Sequence, residues 1–257
     1  MNNTPTNFHQ SFLLHQRPYR ETSIIADFLI ESDERVSVVC KGVKSSGKRS
    51  LLLRSILQPF GLLALSFKGR STLKSLRNVE SLQPPYRINN KNIYIGLYIN
   101  EIIVRLFKPG VCHNNIFYEY KKIISSLSNI SSNNNIENII LIEIYLRKFE
   151  FTLLSILGYE LDFFHESKNG EKIKSNKFYK FEVEDGFSEI EDKIFFDKLK
   201  KKNESLYVEG EILFYLQQQD YNREDVRIFA KKLTRISLSP HLGPEPILTK
   251  ELYKNRK

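Results

Sequence analysis

The hydrophobic pattern of this chain changes period at Pro84-Pro85. Before that pair, apolar residues come in short, partly alternating, β-branched and aromatic runs that read as strands. After it they recur at the 3.6-residue spacing of helices. The reading is therefore α+β, with a β-rich part over residues 1–82 and a helical part over 83–257. Strand-like runs fall at 11–15, 22–30, 35–43, 57–67 and 72–79, the fourth interrupted by Pro59 and Gly61 as a bend or bulge would require. Turn signals separate them: Arg17-Pro18-Tyr19, residues 31–34, Ser45-Ser46-Gly47 and Lys68-Gly69-Arg70. Residues 50–56 read as one short helix. Five short strands in so small a span predict a closed barrel, of the OB type or SH3-like.

In the second part, helices are expected over 92–107, ended by Lys108-Pro109-Gly110, and over 115–127. Residues 128–135 form a polar linker. A long helix follows over 136–157, with Gly158 as its C-terminal cap. Residues 172–186 mix charged and apolar positions in partial alternation and read as an exposed hairpin. Two more helices are expected over 209–218 and 223–237, with Asn222 as an N-cap and Asp225 in the first turn. The last residues, 254–257, are basic.

At 257 residues and 41% hydrophobic content the chain can build real cores. It has no apolar run long enough to span a bilayer, and residues 1–10 lack the apolar core of a signal peptide. A cytoplasmic protein is expected, and the two cysteines, Cys40 and Cys112, fit a reducing compartment. Two cysteines cannot make a four-cysteine zinc site; that count alone does not exclude zinc, but Cys112-His113 has no second pair at ligand spacing, and no metal and no cofactor are expected.

Charge is concentrated rather than spread. Between Arg35 and Val79 there are ten basic residues and no acidic one, and removing those ten from the net charge of +9 leaves −1 for the remainder. Such a surface displaces condensed counterions from a polyphosphate and binds it in a salt-dependent way. The candidate phosphate contacts are Arg35, Lys41, Lys44, Lys48, Arg49, Arg54, Lys68, Arg70, Lys74 and Arg77, extended by Arg17 and Arg20. The plain alternative, a solvated face that aids solubility, does not require complete exclusion of Asp and Glu. Tyr19, between Pro18 and Arg20 in an expected loop, is the best base-stacking candidate; Phe28, Phe60 and Phe67 are expected in the core. With many charges and few stacking rings, binding should be directed at the backbone and weakly sequence-specific.

Gly42-Val43-Lys44-Ser45-Ser46-Gly47-Lys48-Arg49 nearly matches the phosphate-loop pattern G-x-x-x-x-G-K-[ST]. The last position fails: it is Arg49, with Ser50 one residue late, and a hydroxyl is needed there to hold Mg²⁺. A basic hairpin tip is the preferred reading of this loop. The five histidines are scattered, and no nucleophile elbow is present. Glu160 with Asp162, and Glu182 with Glu184 and Asp185, could hold a nuclease metal, but a solvated hairpin explains the second group more simply.

Several stretches resemble the bacterial recombination and repair family RecO. They are Leu14-His15-Gln16-Arg17-Pro18-Tyr19-Arg20-Glu21-Thr22-Ser23, Val39-Cys40-Lys41-Gly42 and Leu57-Gln58-Pro59-Phe60 in the first part. Gly96-Leu97-Tyr98-Ile99-Asn100-Glu101, Leu146-Arg147-Lys148-Phe149-Glu150 and Leu157-Gly158-Tyr159-Glu160-Leu161-Asp162 follow, then Ser239-Pro240-His241-Leu242-Gly243 and Thr249-Lys250-Glu251-Leu252. The resemblance covers nearly the whole chain in order. It implies an OB-fold N-terminal domain, a helical C-terminal domain and a non-enzymatic mediator that binds single- and double-stranded DNA. It further implies annealing of complementary strands and help in loading RecA onto DNA coated by single-strand-binding protein. The implied partners are RecR and the acidic, apolar C-terminal tail of the coating protein, and the implied place is the cytoplasm, with the nucleoid. Many members carry a four-cysteine zinc module after the Gly-Tyr-x-Leu-Asp signature; here that place reads Phe163-Phe164-His165-Glu166-Ser167, so a metal-free insertion at about 163–187 is expected.

An acidic tail ending in an apolar side chain and a carboxylate needs an apolar groove edged by Arg or Lys. Leu97, Tyr98, Arg105, Arg147 and Phe151 are the candidates, with Arg147 on the carboxylate. The rival reading makes the apolar three ordinary helix core. Two other functional readings stand beside the mediator: a nucleotide-dependent enzyme built on residues 42–49, and a protein adaptor without DNA binding.

Overall fold

The computed structural model describes residues 7–88, 92–131, 135–191, 194, 196 and 206–254. Five strands open the chain: β1 (His9–Tyr19), β2 (Ser23–Ile30), β3 (Glu34–Cys40), β4 (Leu62–Lys68) and β5 (Leu73–Ser81), with helix α1 (Lys48–Ile56) between β3 and β4. They close into a barrel in the order β1-β2-β3-β5-β4, in which β1 pairs with both β2 and β4 and β3 runs parallel to β5. That order is the OB topology, so of the two barrels the sequence allowed, the OB type is found.

The barrel core is a period-two product. Ile24, Ala26, Phe28 and Ile30 of β2 face inward with Val36, Val38 and Cys40 of β3, Leu63 and Leu65 of β4 and Val79 of β5. Phe28 lies in this core as expected and Phe67 packs against it; Phe60 is buried too, but against Gly96 and outside the barrel cluster. Strand β1 runs through Arg17-Pro18-Tyr19, where turn signals predicted a loop; Pro18 pairs with Ile24 and Tyr19 with Ser23, and the turn comes after them. The broken run 57–67 resolves into the end of α1, a turn with Phe60 at φ 67, and β4.

Helices α2 (Ile93–Leu106) and α3 (Ile116–Ser128) pack on the outside of the barrel. The register of β1 shifts between Leu13 and His15, which leaves Leu14 out of the β2 ladder. Its carbonyl accepts a hydrogen bond from Asn100 Nδ2 at 3.0 Å, and Asn100 Oδ1 accepts one from Tyr120 Oη at 2.7 Å. All three residues are buried, so a fully satisfied polar chain ties α3 to α2 to β1.

The rest comprises α4 (Ile136–Ile156), β6 (Phe178–Glu182), β7 (Gly186–Ile190), β8 (Leu206–Glu209), α5 (Gly210–Gln217), α6 (Glu224–Leu238) and α7 (Leu248–Lys254). Gly158, at φ 83, ends α4 as expected: Tyr159 N–H bonds Leu154 O and Gly158 N–H bonds Ser155 O, a Schellman pair. The cap of α6 is Arg223 rather than Asn222, and it makes no side-chain cap bond. The expected exposed hairpin is two strands of a three-stranded sheet, β7-β6-β8. Its buried face, Tyr179, Phe181, Phe187 and Val208, packs with Leu213, Leu216 and Leu233, so the alternation there signalled a half-buried sheet.

The chain divides into two compact units, residues 1–134 with 242–257, and residues 135–241. This division groups residues 83–134 with the barrel. Helix α2 packs on β1, α7 lies against α2, and α3 meets the barrel through Phe117 and Tyr120 on Phe12.

Candidate nucleic-acid interface

Barrel closure brings the basic segments together. The start of β5 pairs with the far half of β3, Ser37 with Leu73, Val38 with Lys74 and Val39 with Ser75. This sets Lys74 and the β4–β5 turn, with Lys68 and Arg70, alongside the strand that runs on into Lys41 and Lys44. On the other side, Lys44 N–H bonds Thr22 O at 2.9 Å and joins that loop to the β1–β2 turn, where Arg20 sits at φ 53. Three cationic connections thus adjoin around the C-terminal end of β3. Arg17, Arg20, Lys41, Lys44, Lys48, Arg49, Arg54, Lys68, Arg70 and Arg77 are exposed; Lys74 is partly covered, its Nζ 3.2 Å from Gly69 O. Tyr19 closes β1 instead of standing in a loop, and the Arg20 guanidinium lies 5.1 Å from its ring centroid.

The segment 42–49 joins a strand to a helix and is not a hairpin tip. Gly42 (φ 74) and Gly47 (φ 119) take conformations that disfavour other residues, and Ser45 Oγ donates to Gly42 O at 2.6 Å. Ser50 is buried, its Oγ 2.6 Å from both Val43 O and Ser45 O. The strand–loop–helix context of a phosphate loop is present, but the one hydroxyl near the metal position is turned into the loop to hold its shape. The lysines and Arg49 are left facing outward.

Arg35 departs from the expected set. Its guanidinium lies 3.1 Å from Asp27 Oδ1 and donates to Phe107 O at 2.7 Å, and its side chain is only 11% exposed. Asp27 is fully buried and also takes Arg17 at 3.2 Å and the Ser37 hydroxyl, with His15 at 3.7 Å. Burial pushes the Asp27 carboxyl up; contacts from His15 and Ser37 and the charges of Arg35 and Arg17 outweigh it and hold the group below its ordinary 3.8. Arg35 is thus a support inside the wall. Asp27 was legible as the one charged residue in an otherwise apolar strand, but its partners were not.

The five candidates for a peptide groove fall in separate units. Leu97, Tyr98 and Arg105 stand on α2, and Arg147 and Phe151 on α4. Arg105 donates to Glu245 O and Pro246 O at 2.6 Å each and pairs with Glu101 at 2.6 Å. Glu101 in turn accepts the N–H groups of Leu248 and Thr249 at 2.9 Å and the Thr249 hydroxyl at 2.8 Å, capping α7. Burial raises that carboxyl, but the Thr249 and Leu248 donors and Arg105 bring it below 4.5. Tyr98 is buried, with Lys250 Nζ 5.4 Å from its ring centroid, and Leu97 is partly buried. Arg147 is buried and bound to Glu150 at 2.7 Å and Thr234 at 3.0 Å, and Phe151 packs edge-on to Phe163 at 5.6 Å. Both candidate arginines therefore already hold partners of their own units, which corrects the placing of Arg147 at a groove rim.

Among the described residues, no three His, Cys, Asp or Glu side chains are grouped to hold a metal ion. Asp162 instead accepts the N–H groups of Phe164 and His165 and pairs with His165 Nδ1 at 3.0 Å. Glu184 and Asp185 are exposed in the β6–β7 turn. Among the described residues, no helix is long and apolar enough to cross a membrane.

Residues 9–85 match the family model described as recombination protein O N terminal, and residues 89–193 the one described as recombination protein O C terminal. Curated relatives named DNA repair protein RecO match over nearly their whole length. That of Mannheimia succiniciproducens is 35% identical over 241 residues, 94% of this chain and 96% of the relative. That of Haemophilus influenzae is 34% identical over 248 residues, 96% of each chain. That of Proteus mirabilis is 32% identical over 249 residues, 96% of this chain and 92% of the relative. Matched along both halves by these models and relatives, the chain belongs to the recombination protein O family.

Proposed function

We propose that this chain is a non-enzymatic mediator of recombinational DNA repair. It binds single- and double-stranded DNA through the barrel's cationic connections and anneals complementary strands. With RecR, it helps RecA onto DNA coated by single-strand-binding protein. The observation that supports it most is the meeting of three cationic connections at one end of β3, two of them from a stretch, residues 35–79, that contains no acidic residue, and the third, the β1–β2 turn, carrying Arg20 beside a single Glu21. Such an arrangement grips phosphate without reading bases. The proposed contacts are Arg17, Tyr19, Arg20, Lys41, Lys44, Lys48, Arg49, Arg54, Lys68, Arg70, Lys74 and Arg77, with Arg35 behind them. A soluble, cytoplasmic setting goes with this reading.

The tail of the coating protein remains a proposed partner, and Leu97, Tyr98 and Arg105 remain candidates only where the C-terminal segment gives way. Arg147 and Phe151 are better explained by the packing of their own unit.

The test is annealing of two complementary oligonucleotides, with and without the coating protein, in the absence of nucleotide. We expect acceleration that fades with salt. Replacing Lys48 and Arg49 by Ala should lower affinity similarly for all sequences and make log affinity against log salt shallower, by about 0.7–0.9 per lost contact. Annealing that needs ATP would favour the enzyme reading, and absence of binding would favour the adaptor.

A further inference from the structure

Helix α1 carries two residues for which phosphate binding has no use. Its inward side is Ser50, Leu53 and Ile56, of which Leu53 and Ile56 pack on the barrel core and Ser50 is buried. On the opposite side, at i, i+3, i+4 and i+7, stand Lys48, Leu51, Leu52 and Ser55. Leu51 is 60% exposed and Leu52 59%. Lys48, Arg49 and Arg54 flank them, all exposed and without an ion pair to any described residue. A helix that only coated the barrel would place polar groups at these positions; adjacent exposed leucines ringed by cations form an apolar spot inside a charged surface. That surface is continuous: Ser50 bonds α1 to the loop 41–47, and Lys44 bonds the loop to the β1–β2 turn.

We infer that Leu51 and Leu52 form an apolar platform for unstacked bases of single-stranded DNA, with Lys48, Arg49 and Arg54 holding the flanking phosphates. The inference rests on the DNA-binding reading above. A duplex hides its base faces in the stack and offers this pair nothing; a single strand exposes them, and apolar side chains contact them without regard to sequence. An acidic peptide would satisfy the same helix face, but the cations continue past α1 over two further connections, as a long polyanion requires. The platform makes α1 the element that separates single strands from duplex, and it holds bases apart from one another before pairing.

The experiment uses the full chain, a dT oligonucleotide and a duplex of equal length, followed by fluorescence anisotropy over a series of salt concentrations. The double substitution Leu51→Ser with Leu52→Ser is expected to weaken single-strand binding roughly ten-fold. Duplex binding should stay within about two-fold, with the salt slope unchanged because no phosphate contact is lost. Equal losses on both substrates, a shallower slope, or no change on either overturns the platform. The chain has no tryptophan, so Leu51→Trp places a single reporter on this face. Its emission should be quenched by saturating single strand and not by duplex. Equal quenching by both, or by neither, overturns the inference, as does quenching by an acidic apolar peptide alone. If the unaltered chain binds neither nucleic acid at low salt, it is the DNA-binding reading that fails; if it binds both and only the leucine variants are silent, this inference fails alone.

Discussion

Asp27 is a buried carboxylate in a strand whose other residues are apolar or uncharged, and it survives there because each oxygen is met. Oδ1 takes Arg35 and Ser37, and Oδ2 takes Arg17 and His15. Arg17 and His15 are half-exposed and can turn to water, but Arg35 and Ser37 are covered, and removing the carboxylate's charge leaves that arginine without its counter-charge inside the wall. Asp27→Asn is therefore expected to destabilise the barrel by about 3 kcal/mol at neutral pH. The sign of the pH effect follows from the depressed carboxyl. Its contribution is complete above the ordinary value of 3.8 and is lost as pH falls through the lower folded value. Urea titrations from neutral to strongly acidic pH should show the gap between the two proteins closing as pH falls from 3.8 to the lower folded value. A gap that stays constant would mean that the carboxylate's charge plays no part.

Helix α2 is set on the barrel by one missing side chain. A Cβ on Gly96 would lie 2.8 Å from Phe60 Cζ and 2.9 Å from Ile88 Cδ1, both on buried residues. In an isolated helix, Gly→Ala gains about 1 kcal/mol. Here the overpacking, typically ~1–3 kcal/mol, opposes that gain and acts on residues with little room to move. Gly96→Ala should lower the melting temperature, and Gly96→Val should lower it further. A rise on Gly96→Ala would show that the Phe60 ring gives way freely. The element also carries Asn100, whose two bonds need both the bulge in β1 and Tyr120 of α3. A helical wheel of residues 92–107 identifies the buried face, but not that its polar member is held by a bulge far away in sequence.

The chain as a whole returns on itself. Residues 242–257 belong with the barrel unit, and Glu101 and Arg105 hold residues 245–249 from opposite sides of the peptide backbone's polarity, one accepting N–H groups and the other donating to carbonyls. Ending the chain at His241 should therefore loosen α2, with hydrogen exchange there roughly ten-fold to a hundred-fold faster, while α4 and α6 keep their protection. Equal loosening of both units, or of neither, would sink that division of labour. Hydrophobic period by itself determined the place where strands give way to helices and a small barrel with Phe28 inside, because period is a local property of the backbone, and Gly158 marked the end of α4. The concentration of cations over residues 35–79 was equally plain. Tertiary structure decided which cations remain outward. Arg35, Arg105 and Arg147 meet partners 72, 140 and 87 residues away, and no local pattern distinguishes an arginine facing solvent from one facing a distant carbonyl, hydroxyl or carboxylate. Tertiary structure likewise decided that the alternating segment after α4 is a sheet with a buried face, since its third strand and the helix beneath it come later in the chain.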